Sequence, residues 1–422
     1  MSKRWEILPG VYFRGIQSHQ FKTACVSIHF LRQLSTQENA LNALIGNVLL
    51  RGTEELTDLR KITQALDGLY GAEAGPMILK TGQIQTVGLG ASFMEDRFAL
   101  PGDQVTKPVL ELLAQVLLRP RLENGVFCAE FVESEKHNLI SLIESQINDK
   151  RVYAANRMLK LLCGHDPFGI PRLGTVEQVE AVTPEALYAH YRRVLARSQA
   201  EIFYCGAMAP EEMAALLRDS LKDLPRETME PAVQGPFIPQ SGTRYEEETM
   251  DVSQGKLCLG FTTPITNQSG EFAAMMVFNA LYGAGYTSKL FMNVREKLSL
   301  CYYASSAYYG TKGIFTVDSG IETGNFEVAK AEILRQLEAC QAGDFTDQEL
   351  SSAKAAICNG LKTAADSAGR LDSYYTAQVL SGKTLEPADY MAQIEAVTAE
   401  QVAKAAQTLR LDTVFFLKGV AQ

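Results

Sequence analysis

Thr287-Ser288-Lys289-Leu290-Phe291-Met292-Asn293-Val294-Arg295-Glu296-Lys297-Leu298-Ser299-Leu300-Cys301-Tyr302-Tyr303 reads as a helix running straight into a strand. A hydroxyl at Thr287 or Ser288 can accept one of the orphaned backbone N–H groups at the helix start. Leu290, Phe291, Val294 and Leu298 recur at helical spacing, which predicts one buried face. Arg295 lies off that stripe. From Leu300 to Tyr309 the chain is dense in aromatic and small residues, a strand-like composition. Just upstream, Gly283-Ala284-Gly285 lets the backbone turn closely into the helix. An arginine on a helix is thus followed by a tyrosine on the next strand. On spacing alone, Arg295 and Tyr302 read as an exposed Arg-Glu-Lys turn and a half-buried tyrosine.

The length of 422 residues suits two domains of about 200 residues each. Apolar residues make up 46% and charged residues 21%, an ordinary globular balance. No apolar run approaches the ~20 residues of a membrane span, so no membrane partner is expected. Met1 to Glu6 lead into a strand-like segment without a signal-peptide core, so the expected location is cytoplasmic. The net charge is −9 and the basic residues form no stripe, which argues against a nucleic-acid partner. Eight cysteines are scattered without a C-x-x-C pair and read as buried free thiols.

Along the chain, two strand-like segments precede an apolar helix from Glu38 to Leu50. A second helix and a pair of strands around Lys80-Thr81-Gly82 follow. Asn124 to Leu162 reads as one long helical region, and Thr183-Pro184-Glu185 opens a further helix. Prolines 225, 231, 236 and 239 then mark a linker at 226–243. The second half repeats the first. A shift of 231 brings Val26-Ser27-Ile28 onto Leu257-Cys258-Leu259, Phe30 onto Phe261, Gly52 onto Gly283 and Gly82 onto Gly313. Later the shift falls to 218, where Lys136 meets Lys354. The expected architecture is α+β: two tandem homologous domains, 1–225 and 244–422. In each, helices pack on one face of a mostly antiparallel sheet.

A duplicated half of this size resembles the insulinase/pitrilysin superfamily of zinc peptidases, in the two-domain form of the mitochondrial processing peptidase. Leu49-Leu50-Arg51-Gly52-Thr53 is similar to the segment that follows the family's metal motif. Gly164-His165-Asp166-Pro167-Phe168-Gly169, Gly174-Thr175 and Val182-Thr183-Pro184-Glu185 resemble a later first-half signature. Gly283, Gly285, Ser288, Leu290, Phe291, Arg295, Glu296, Leu300 and Tyr302 fit a second-half signature.

The departure from the family pattern bears on function. Active members carry H-x-x-E-H on the first helix, two zinc ligands four apart with a glutamate that activates water. Counting back from Gly52-Thr53, those positions hold Ala43, Gly46 and Asn47. Alanine and glycine offer no ligand atom, and asparagine is a poor zinc donor. The resemblance puts the third ligand on the long helix, in a register that falls on Ser141 or Leu142, with Glu144 nearby. The histidines, 19, 29, 137, 165 and 190, have no pair at ligand spacing on a helix. Gly71-Ala72-Glu73-Ala74-Gly75 also departs from the family's stretch beside its substrate strand.

Arg295 and Tyr302 survive. In the family, residues at these places bind the substrate backbone and help hold the tetrahedral intermediate, which suits a guanidinium fork and a phenol donor. The resemblance therefore implies a non-catalytic subunit of a heterodimeric zinc peptidase. It would have no cofactor and no metallopeptidase activity of its own, its zinc lying only in a homologous partner. It would act on a peptide substrate and form a homodimer only when isolated. The other readings are a structural or scaffolding protein and a peptide-binding homologue without a proteolytic role.

Overall fold

A computed structural model describes residues 3–419. Strands β1 (Arg4–Leu8), β2 (Val11–Gln17), β3 (Thr23–Gln33), β4 (Glu73–Thr81) and β5 (Ile84–Met94) lie in the first half. A small hairpin, β6 (Leu122–Glu123) and β7 (Val126–Phe127), follows, and then β8 (Ala200–Gly206). The second half contributes β9 (Arg244–Met250), β10 (Gly255–Thr262), β11 (Cys301–Tyr309), β12 (Ile314–Ile321) and β13 (Arg410–Gly419).

The first sheet runs β1-β2-β8-β3-β5-β4 and the second β11-β12-β10-β13-β9. Read from β2 and from β9, the two orders are the same. In both, the strand before the central one is entered by a parallel pairing, β2 with β8 and β9 with β13. The other pairs are antiparallel. Gly82 and Gly313, matched by the shift of 231, both turn their hairpins with positive φ, 57° and 62°. Lys136 and Lys354, matched by the shift of 218, each donate to a backbone carbonyl, Val182 O at 3.1 Å and Glu395 O at 3.0 Å. The α+β duplication expected from the sequence is therefore present in the fold.

The chain separates into two compact units. One comprises 1–144, 170–234 and 366–380; the other comprises 145–169, 235–365 and 381–422. This differs from a simple division into 1–225, a linker at 226–243, and 244–422. The region 124–162 is not one helix. It stops at Ser145, and Asp149 caps a new helix, Lys150–Cys163, by accepting from the N–H groups of Arg151 and Val152. That helix joins the second unit. In exchange, Ala368–Leu380 joins the first.

Strand alternation explains why each sheet takes such a helix on its second face. In β10, Leu257, Leu259 and Phe261 point one way, toward the Phe272–Tyr282 helix, whose Phe278 lies 5.3 Å from Phe315. Cys258 and Gly260 point the other way. There Cys258 packs with Met158 and Leu162 of Lys150–Cys163. In the first unit, Phe203, Cys205 and Cys25 pack with Leu371 and Tyr375 of Ala368–Leu380. Buried polar groups fix that helix: His29 Nε2 lies 3.4 Å from Asp372 Oδ1, which accepts from Thr376 Oγ1 at 3.0 Å. No helix among the described residues is long and apolar enough to cross a membrane.

Candidate functional site

In the first unit, the degenerate motif lies on the helix Asn39–Leu49. Ala43 is buried at 3% exposure. Gly46 packs onto the sheet so closely that a Cβ there would meet the Cβ of Pro76 on β4 at 2.7 Å and the carbonyl of Gly88 on β5 at 3.3 Å. Asn47 turns its amide back toward the Ala43 carbonyl, 3.4 Å away. The space that a catalytic glutamate would need is occupied by backbone and proline.

The third ligand position, expected at Ser141 or Leu142, falls on the helix Ala129–Ser145. Ser141 and Leu142 are exposed. The carboxylate turned inward is Glu135, 8% exposed, and it is paired with the Arg51 guanidinium. Arg51 also donates to Ser134 Oγ at 2.9 Å, and Asn138 donates to Glu135 at 3.2 Å. A cation is thus already supplied to this carboxylate by the protein. Two side chains without ligand atoms and an amide folded onto its own helix do not fit a zinc site. Among the described residues, no group of three or more His, Cys, Asp or Glu is arranged to hold a metal ion.

The second unit holds Arg295 and Tyr302, and local irregularity positions both. Ser288 accepts from the Phe291 N–H at 3.3 Å at the helix start. Gly283 presses against β11: a Cβ there would meet Ser306 at 2.5 Å, and its carbonyl accepts from the Ser306 N–H. The helix that follows, Leu290–Lys297, is a π-helix, closed by Leu298 N–H donating to the Asn293 carbonyl at 3.2 Å. The wider turn changes which side chains face inward. Leu290 and Val294 are buried as expected, but Leu298 is exposed at 44%, a correction to the predicted stripe.

Ser299 then adopts a left-handed conformation, φ 50°, and stops the helix. Within β11, Cys301 pairs with Ile321 and Tyr303 with Gly320, leaving Tyr302 as the extra residue of a β-bulge. A bulge re-aims a side chain away from the regular pleat. Tyr302 is accordingly 57% exposed. A π-helix, a left-handed serine and a bulge fall between Leu290 and Tyr303, and such departures concentrate where geometry serves function.

Arg295 and Tyr302 line one cleft of about 340 Å³ with Glu296, Ser299, Leu300, Cys301 and Glu322. The Arg295 guanidinium carbon lies 4.7 Å from the centre of the Phe291 ring, and its Nε is 3.5 Å from Glu296. Both contacts are local, so the fork stays accessible on its outer edge. Burial raises the Cys301 thiol above its ordinary pKa, which keeps it neutral. Glu322 was not singled out by sequence. It lies beyond the motif, at the end of β12, and only the folded hairpin brings it to the cleft.

The peptidase M16 inactive domain matches residues 181–357 of the chain. The probable inactive metalloprotease YmfF of Bacillus subtilis (strain 168) is 31% identical over 404 residues, covering 96% of this chain and 95% of that protein. An uncharacterized zinc protease of Mycobacterium tuberculosis (strain H37Rv) is 26% identical over 312 residues, 71% of this chain and 68% of its own length. The crystal structure of a conserved protein from Enterococcus faecalis V583 superposes with a TM-score of 0.91 at 28% identity, over 100% of this chain and 99% of that one. With its motif positions taken by Ala43, Gly46 and Asn47, the chain belongs to the insulinase-like M16 peptidase family, among its inactive members.

Proposed function

We propose that the chain is the non-catalytic subunit of a heterodimeric zinc peptidase, supplying Arg295 and Tyr302 in trans to a zinc-bearing homologue. The observation that carries this reading is the contrast between the halves. The motif helix is packed shut on Pro76, while Arg295 and Tyr302 line an open cleft. A guanidinium fork can grip a peptide carbonyl, and a phenol can donate to an oxyanion as it develops. Zinc is held by the partner alone, and the substrate is a peptide. Homologues named as zinc proteases support a partner drawn from the same family. Two copies of this chain alone would contain no zinc motif, so a homodimer of the isolated protein would have no peptidase activity. The working location is the cytoplasm. The chain also resembles peptidase homologues of bacilli and clostridia associated with the 5-aminopentanol modification of elongation factor P, which makes that modification one setting in which to seek the partner.

Affinity purification of the tagged chain from its native cells tests the partnership. The expected co-purifying protein is a homologue with an intact H-x-x-E-H motif. Recovery of the chain alone, or only as a homodimer, would count against the reading.

A further inference from the structure

We propose that Glu322 sets the specificity of the Arg295–Tyr302 cleft, selecting peptides that carry a positive charge beside the carbonyl held by Arg295; this rests on the reading above. The cleft lining combines one cation, Arg295, with two carboxylates, Glu296 and Glu322. Glu296 lies 3.5 Å from the Arg295 Nε, so the guanidinium balances it. Glu322 has no ion pair and no side-chain hydrogen bond among the described residues. Its backbone is nonetheless fixed: its carbonyl accepts from the Asn325 N–H at 2.9 Å, which begins the turn Thr323–Asn325. An anchored backbone carrying an unpaired carboxylate on a cleft wall is a preset receptor for a cation.

The cleft volume of about 340 Å³ matches one or two peptide residues. Within it, a ligand carbonyl or carboxylate accepts from Arg295, and a neighbouring ammonium or guanidinium satisfies Glu322. A neutral side chain leaves the exposed Glu322 carboxylate to water and gains nothing from it, and an acidic one is repelled. The cation can come from a lysine or arginine side chain or from a peptide's own α-amine, and the probe peptides separate the two.

The experiment measures fluorescence anisotropy of short alanine-based peptides, labelled at the C-terminal end, against the full chain. One is N-acetylated with a central lysine, one is N-acetylated with glutamine in its place, and one has the glutamine and a free α-amine. The lysine or the free-amine peptide should bind about fivefold more tightly than the blocked glutamine peptide at low salt, with the gap narrowing at high salt. Glu322→Gln should erase the gap, and Glu322→Asp should retain it. Equal affinity for all three peptides, a gap that survives Glu322→Gln, or no binding of any peptide overturns the inference. Equal affinities that all collapse in Arg295→Ala would remove the role of Glu322 and leave the Arg295 reading intact. Affinities untouched by Arg295→Ala would remove the Arg295 reading itself.

Discussion

Gly46 and Pro76 are in such close contact that a single carbon added at position 46 would sit 2.7 Å from the Pro76 Cβ. In most exposed helices, replacing glycine by alanine stabilises by about 1 kcal/mol. Here the sign should reverse. Gly46→Ala should cost about 1–3 kcal/mol, the usual range for overpacking, and lower the melting temperature. A rise in melting temperature would show that the helix has room to move off the sheet.

The same contact bears on attempts to rebuild the metal motif. Ala43→His, Gly46→Glu and Asn47→His together should give no stoichiometric zinc by elemental analysis and no peptidase activity. Gly46→Glu meets Pro76 and the Gly88 carbonyl, and Glu135 remains paired with Arg51. One tightly held zinc per chain would contradict both points.

Glu135 and the outer positions 141 and 142 of the same helix should differ in what their loss costs. Glu135→Ala leaves Arg51 without its partner in a largely buried setting and should cost about 2 kcal/mol. Ser141→Ala and Leu142→Ala, on the exposed side, should change stability by no more than about 0.5 kcal/mol. Thermal melts of the three variants side by side make the comparison.

Glu230 makes a pH prediction. Hydrogen bonding from Arg193, and then from Arg32, lowers its pKa to about 2 from the ordinary 4.5. A depressed carboxylate pKa adds stability above the unfolded value and loses it as the pH falls through the folded one. The stability gap between wild type and Glu230→Gln should therefore be full at pH 7, shrink below about pH 4.5 and vanish near pH 2. Because Glu230 remains 28% exposed at its side chain, the full gap should be about 1–2 kcal/mol. A gap independent of pH would rule out ionisation as its source.

The duplication was legible because glycines and apolar strands punctuate it: Gly82 and Gly313 serve equivalent hairpins. The loss of the metal motif was legible because Ala43, Gly46 and Asn47 are counted from a fixed Gly52-Thr53. The exchange of Lys150–Cys163 and Ala368–Leu380 between units was not, since amphipathic spacing does not say which sheet a helix will cover. The break at Asp149 has the form of an ordinary cap inside a continuous helical pattern. The Arg51–Glu135 pair joins residues 84 apart in the chain, and packing rather than spacing sets it. At the cleft, Arg295 and Tyr302 were readable as residue types. The π-turn that exposes Leu298 and the bulge that frees Tyr302 arise from hydrogen-bond registers that leave no mark in composition.

Steady-state kinetics on the complex with a zinc-bearing homologue test the central claim most directly. Tyr302→Phe should lower kcat by about 10²–10³ with little change in KM, the usual loss for one oxyanion donor. Arg295→Ala should lower kcat/KM further and raise KM, because it removes a contact made already with bound substrate. Neither variant should alter the zinc content of the complex. Wild-type kcat and KM in both variants would contradict the account and leave Arg295 and Tyr302 without a catalytic use.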